Sequence, residues 1–127
     1  KNSLGWVNDG RCLYWTIRFW NERYGLPILV AENGFCDNDV VSPDGFIHDE
    51  KHIAYMKDYI ENVKRAVDEG YPVLGYQYWS LLDNFEWAEG YRPRFGLIHV
   101  DFDTRKRTPK DSAAYYEKVI ETNGEAL

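Results

Sequence analysis

Pro27-Ile28-Leu29-Val30-Ala31-Glu32-Asn33-Gly34 opens on a proline, runs through four apolar residues without alternation, and closes on an acid, an amide and a glycine. A short apolar run of this kind reads as a strand covered on both faces of a parallel sheet. Pro72 introduces a second run, Val73-Leu74-Gly75-Tyr76-Gln77-Tyr78-Trp79. Between them lies a predicted helix over residues 50–69. Ile53, Met56, Ile60, Val63 and Val67 recur in alternating steps of three and four, Asp49 suits its cap and Gly70 its end. Strand, helix, strand is a βαβ unit.

Outward from this unit, residues 9–24 read as a helix. Asp9 is its candidate cap, Leu13, Ile17, Trp20 and Tyr24 its apolar face, and Gly25 its stop. Residues 33–48, rich in Asn, Gly, Asp, Ser and Pro, read as a long loop. Residues 81–96 read as irregular and aromatic. Residues 97–107 read as a hairpin turning at Asp103-Thr104. A last helix is expected from Thr108-Pro109-Lys110-Asp111, with Thr108 as cap and Asp111 in its first turn, ending near Asn123-Gly124. The fold class is α/β, but two parallel strands with three helices leave both strand edges open, which is uncommon in a self-contained domain.

The 127 residues are 44% apolar, too many for a disordered tail. No run reaches the roughly 18 apolar residues of a membrane span. With 15 basic and 21 acidic side chains the formal charge is −6, which argues against a nucleic-acid partner. Such a length holds one domain with a core, here residues 1–127 with no second domain, but not a complete (β/α)8 barrel, which needs about 200 residues. Cys12 and Cys36 form neither a disulfide framework nor a zinc set and read as free thiols. The chain opens on Lys with no charged-then-apolar leader. It is either processed or a piece of something longer, and the compartment stays open with the cytoplasm slightly favoured.

Glu32 directly follows the first strand run, where barrel enzymes keep catalytic groups. On position alone, a solvated loop residue is the commoner role. The second run leads into Tyr78-Trp79-Ser80-Leu81-Leu82-Asp83-Asn84-Phe85-Glu86-Trp87-Ala88-Glu89-Gly90-Tyr91, which mixes acids with indole and phenol rings. Rings that stack on a pyranose face and carboxylates that accept from its hydroxyls form a sugar site, although the same composition also suits a core-facing aromatic cluster. His48 and His52 stand four residues apart, a possible metal-binding spacing. With Asp49 between them and no third ligand evident, they read as a solvated helix start, and no metal is expected.

Glu32-Asn33-Gly34, the stretch Trp79–Trp87, then Arg94-Phe95-Gly96-Leu97 and Thr108-Pro109-Lys110-Asp111-Ser112 together closely resemble glycoside hydrolase family 1, the retaining β-glucosidases and their relatives, from about Gly5 to Gly124. The resemblance implies a partial (β/α)8 barrel: its C-terminal portion, the last two strand–helix units plus a hairpin. It implies that Glu32 is the catalytic nucleophile. Trp79 would be the platform under the sugar ring, Glu86 would bind the 4- and 6-hydroxyls, Trp87 would donate to the 3-hydroxyl, and Phe95 would line the pocket. The phospho-sugar branch tends to carry Ser in place of Glu86 and a Lys near Pro93. Neither stands here, so an unphosphorylated β-glucoside or related sugar is the implied substrate. Ala31 replaces the Thr of many relatives. No metal or organic cofactor is implied.

The family's acid/base sits in an upstream Asn-Glu-Pro, and this sequence has none. Asn21-Glu22 is followed by Arg23 and reads as a polar helix face. Neither Glu86 nor Glu89 reads as the missing acid. The expectation is a β-glucosidase part, probed best in a complete barrel, and inactive by itself. The alternative is a catalytically incompetent fragment that binds sugar, or that pairs with itself or with the remaining barrel segments.

Overall fold

The computed structural model describes all residues 1–127. In chain order it forms helix α1 (Arg11–Tyr24), strand β1 (Ile28–Asn33), helix α2 (Glu50–Asp68), strand β2 (Val73–Tyr78), a 3-10 turn (Trp87–Glu89), strands β3 (Ile98–Val100) and β4 (Arg107–Pro109), and helix α3 (Asp111–Glu121). β1 and β2 pair in parallel, with Ile28 opposite Val73 and Val30 opposite Tyr76. β3 and β4 form a separate antiparallel hairpin. No helix is long and apolar enough to cross a membrane.

The core lies between the sheet and the first two helices. Tyr14 and Ile17 of α1, Val30 of β1, and Val63 and Ala66 of α2 form its buried centre. The opposite face of the sheet is open. Leu29 is 50% exposed and Leu74 70%. The expected strands covered on both faces are therefore covered on one. The unalternated pattern describes a sheet with a second layer, and these 127 residues supply one layer only.

Two helix faces are rotated from those expected. In α1, Tyr14 is buried in place of Trp20 and Tyr24, which are exposed and stack on each other with centroids 5.4 Å apart. In α2 the buried positions are His52, Met56, Tyr59, Val63 and Ala66. Val67 is exposed, while Ile53 and Ile60 lie half-buried on the flanks. Amphipathic reading counts His and Tyr as polar, yet both are buried here, with the Tyr59 hydroxyl accepting from the Asp9 amide and His52 Nδ1 meeting the Tyr78 hydroxyl.

The expected caps also differ. Asp9 accepts from the Arg11 amide at 3.1 Å, but Gly10 occupies the cap position. A carboxylate from α2 reaches the start of α1, where Asp58 Oδ2 accepts from the Gly10 amide at 2.7 Å. Asp49 precedes α2 yet does not cap it with its side chain. Its carboxylate instead accepts from the Ser112 amide at 2.8 Å and from the Ser112 hydroxyl, at the start of α3. Thr108 belongs to β4, and Lys110 takes the cap position of α3. The N-termini of both other helices are thus tied down by carboxylates of α2 and its cap position, Asp58 exposed and Asp49 buried, a tertiary form of capping.

Candidate active site

Glu32 and Asn33 end β1, and Trp79 follows β2 directly. The Trp79 amide donates to the Asn33 carbonyl at 2.9 Å, which continues the strand pairing by one step and sets the two strand ends side by side. Gly34 permits that approach. A Cβ on it would fall 1.8 Å from the Trp79 carbonyl oxygen. The glycine is needed for a close backbone approach.

The segment after β2 folds back on its own strand end. The Ser80 amide donates to the Phe95 carbonyl at 3.2 Å and the Leu97 amide to the Ser80 carbonyl at 2.8 Å, which places Phe95 beside Trp79. The Glu86 amide donates to the Gly90 carbonyl at 2.7 Å and closes the small loop that presents Glu86 and Trp87. Glu32, Trp79, Glu86, Trp87 and Phe95 line one cleft of about 590 Å³, together with Trp6, Asn33, Gly34 and Tyr55. Phe95 is buried, Trp79 partly so, and Trp87 is 82% exposed at the rim.

Charge in the cleft is uncompensated. Glu32 and Glu86 take part in no ion pair, whereas the carboxylate of nearby Glu89 is held by Arg92. Asn33 is oriented from below, its Oδ1 accepting from the Tyr76 hydroxyl at 2.8 Å. Burial pushes the Tyr76 and Tyr78 phenols far above their usual range, so both stay O–H donors.

Trp6 and Tyr55 were not legible as cleft residues. Trp6 carries no periodic signal between Gly5 and Val7. It reaches the cleft because Asn2 Oδ1 accepts its amide at 2.9 Å, and its ring then lies 6.2 Å from that of Phe95. Tyr55 sits on α2, stacked 4.0 Å from Tyr59. The exposed aromatics of an N-terminal loop were the available signal for Trp6. Nothing in the helical pattern singled out Tyr55.

The two histidines go separate ways. His48 is exposed, with Nδ1 2.7 Å from Asp111 Oδ2 and Nε2 2.9 Å from Asp44 Oδ2. His52 is fully buried, so the solvated reading fails for it. Its Nδ1 lies 3.0 Å from the Tyr78 hydroxyl and its Nε2 3.1 Å from Asp39 Oδ2. Asp39, Asp49 and His52 bring ligand atoms within 4.8 Å of one another. Lys110 Nζ, 2.6 Å from Asp39 Oδ2, already stands where a cation would be drawn. Cys12 and Cys36 are both free thiols. Glu22 pairs with Arg18 at 2.8 Å and accepts from Tyr71, so Asn21-Glu22 is a polar helix face as expected.

A parallel strand–helix–strand unit with functional side chains gathered past the C-terminal ends of its strands is an arrangement that (β/α)8-barrel enzymes use. The sequence profile described as Glycosyl hydrolase family 1 matches residues 1–125, and the chain belongs to that family. It is 46% identical over 125 residues to Beta-glucosidase A of Thermotoga maritima, covering 98% of this chain and 28% of that protein. The 1,4-beta-D-glucan glucohydrolase of Thermotoga neapolitana matches at the same identity and coverage. Among solved structures, the family 1 β-glucosidase of Thermotoga maritima superposes with a TM-score of 0.96 at 45% identity, again over 98% of this chain and 28% of that one. Its complex with glucoimidazole matches equally well. The chain thus spans a little over a quarter of the length of these relatives.

Proposed function

We propose that this chain is the C-terminal portion of a retaining β-glucosidase, with β1 and β2 as the seventh and eighth strands of its barrel and residues 1–127 as a single structural piece. The observation that carries the reading is that Glu32, Trp79, Glu86, Trp87 and Phe95 share one cleft past the strand ends. In a complete barrel, Glu32 attacks the anomeric carbon of a β-glucoside and the bond to the leaving oxygen breaks. A second carboxylic acid, about 5–5.5 Å from Glu32, protonates that oxygen and then deprotonates the water that releases glucose. That second group is not among these residues. Trp79 stacks under the ring, Glu86 accepts from the 4- and 6-hydroxyls, Trp87 donates from its indole, and Phe95 closes the wall. The absence of a cationic side chain from the cleft lining favours an unphosphorylated sugar.

The test separates the half-mechanism from the missing acid. A dinitrophenyl β-glucoside has a leaving group that needs little protonation. With Glu32 correctly presented, intact mass spectrometry of the chain should show one added hexosyl unit that accumulates for want of a base. Glu32→Gln should show none. An unmodified parent chain would remove the claim of any chemistry by these residues alone. It would favour the second reading, a sugar-binding or self-associating portion, which the exposure of Leu29 and Leu74 on the open sheet face supports.

A further inference from the structure

Lys110 lies outside the cleft, yet it is the most deeply buried cation of the molecule: its residue is 2% exposed and its side chain 0%. Its ammonium meets two carboxylates from two different segments. Nζ is 2.6 Å from Asp39 Oδ2, in the loop that follows Glu32, and 3.1 Å from Asp83 Oδ1, in the loop that follows Trp79. These are the two segments that form opposite sides of the cleft.

Each carboxylate passes the constraint on. Asp83 Oδ1 also accepts from the Gly96 amide at 2.9 Å, next to Phe95, and Asp83 Oδ2 lies 3.3 Å from Arg94 Nη1. Asp39 Oδ2 faces His52 Nε2 at 3.1 Å. His52 Nδ1 meets the Tyr78 hydroxyl, which in turn accepts from the Phe35 amide at 3.4 Å, three residues past Glu32. A series of close polar contacts therefore runs from the Phe35 backbone to the backbone beside Phe95, hydrogen-bonded except at His52 Nε2, which approaches Asp39 without a hydrogen bond, and Lys110 is its middle link. A buried pair fixes geometry more than it adds stability, because each ion must keep its partner or stand desolvated and alone.

We propose that Lys110 is a positioning residue: its ammonium fixes the spacing between the Glu32 side and the Trp79–Phe95 side of the cleft. The inference rests on the reading of that cleft as a sugar site. It predicts that Lys110 sets cleft geometry without touching sugar.

The experiment uses the 127-residue chain, isotope-labelled, as parent, Lys110→Met, Lys110→Arg and Asp39→Asn. The readouts are the indole N–H resonances of Trp79 and Trp87, amide exchange at Phe35 and Gly96, and a titration with glucoimidazole. Lys110→Met should keep its helical circular dichroism, shift the Trp79 indole, speed Gly96 exchange, and weaken glucoimidazole about tenfold or more, a loss of the size that slight misplacement causes. Lys110→Arg should recover part of each change. Folded Lys110→Met with unmoved indoles and unchanged affinity would overturn the proposal. If Lys110→Met fails to fold, Asp39→Asn decides. It leaves the Lys110–Asp83 pair intact, and should speed Phe35 exchange and weaken glucoimidazole while Gly96 stays protected; unchanged Phe35 exchange and affinity would overturn the proposal. A parent chain that does not bind glucoimidazole tells against the sugar reading alone, and the indole and amide readouts still decide the role of Lys110.

Discussion

His48 joins two segments that are distant in sequence, the turn at Asp44 and the start of α3 at Asp111. Its hydrogen bonds to Asp44 and then Asp111 raise its pKa from 6.5 to about 9. The same contact, led by the His48 hydrogen bond, lowers Asp44 from 3.8. A raised folded-state pKa means the contribution is complete below 6.5 and is lost as pH climbs through about 9. The lowered Asp44 means it is also lost as pH falls below 3.8. The difference in Tm between parent and His48→Asn is therefore expected to be greatest between about pH 4 and 6.5 and to vanish above about pH 9. Thermal melts across that range check it. A difference that grows towards alkaline pH would show that His48 acts by packing instead. The sites are exposed, so the effect is small and shrinks with added salt.

At the scale of elements, the helix starts of α1 and α3 are met by carboxylates from elsewhere in the chain, Asp58 of α2 and Asp49 just before it. Asp58 serves the Gly10 amide and Asp49 serves Ser112. Removing Asp58 as Asp58→Ala is expected to cost about 1 kcal/mol. The expected signature is local: faster amide exchange in the first turn of α1 with the end of α2 unchanged. Asp49→Ala leaves a buried amide and hydroxyl unpaired and is expected to cost about 1–3 kcal/mol, read from the urea midpoint. Equal effects of the two would contradict the difference in burial, since Asp49 is 3% exposed while Asp58 lies on an exposed position. The existence of α1, α2 and α3 was legible in periodicity, and their ends were close to right. The caps were not, because a cap drawn from another element leaves no trace beside the helix it serves.

For the molecule as a whole, one layer of helices covers one face of a two-stranded sheet, and the other face meets solvent. Trp15 and Phe19, each 56% exposed, add further apolar surface on α1. Exposed apolar surface of this kind drives association. Leu29→Lys with Leu74→Gln is expected to leave stability within about 0.5 kcal/mol, since both side chains are half or more in water already. The same pair of changes should abolish concentration-dependent growth in size by light scattering. A large loss of stability would mean that these leucines support the fold, and unchanged growth would place the adhesive surface elsewhere, on α1. Under the proposed function the open face would be covered by the rest of a barrel, since the chain spans 28% of the length of its family 1 relatives.

The sequence by itself determined the order of elements, the parallel unit and the hairpin, each from a local pattern, an apolar run or a periodic face; the five residues that line the cleft were expected there from the resemblance to glycoside hydrolase family 1. Which ring is buried and which is exposed was decided only by the tertiary fold. Trp20 faces solvent and His52 is sealed in because burial depends on what lies opposite, here the Tyr78 hydroxyl at Nδ1 and the Asp39 carboxylate 3.1 Å from Nε2. The meeting of Asp39, Asp83 and Lys110 belongs to the same class. Three charges far apart along the chain have no shared period, and only the packing of α3 against the two strand ends brings them within hydrogen-bonding reach.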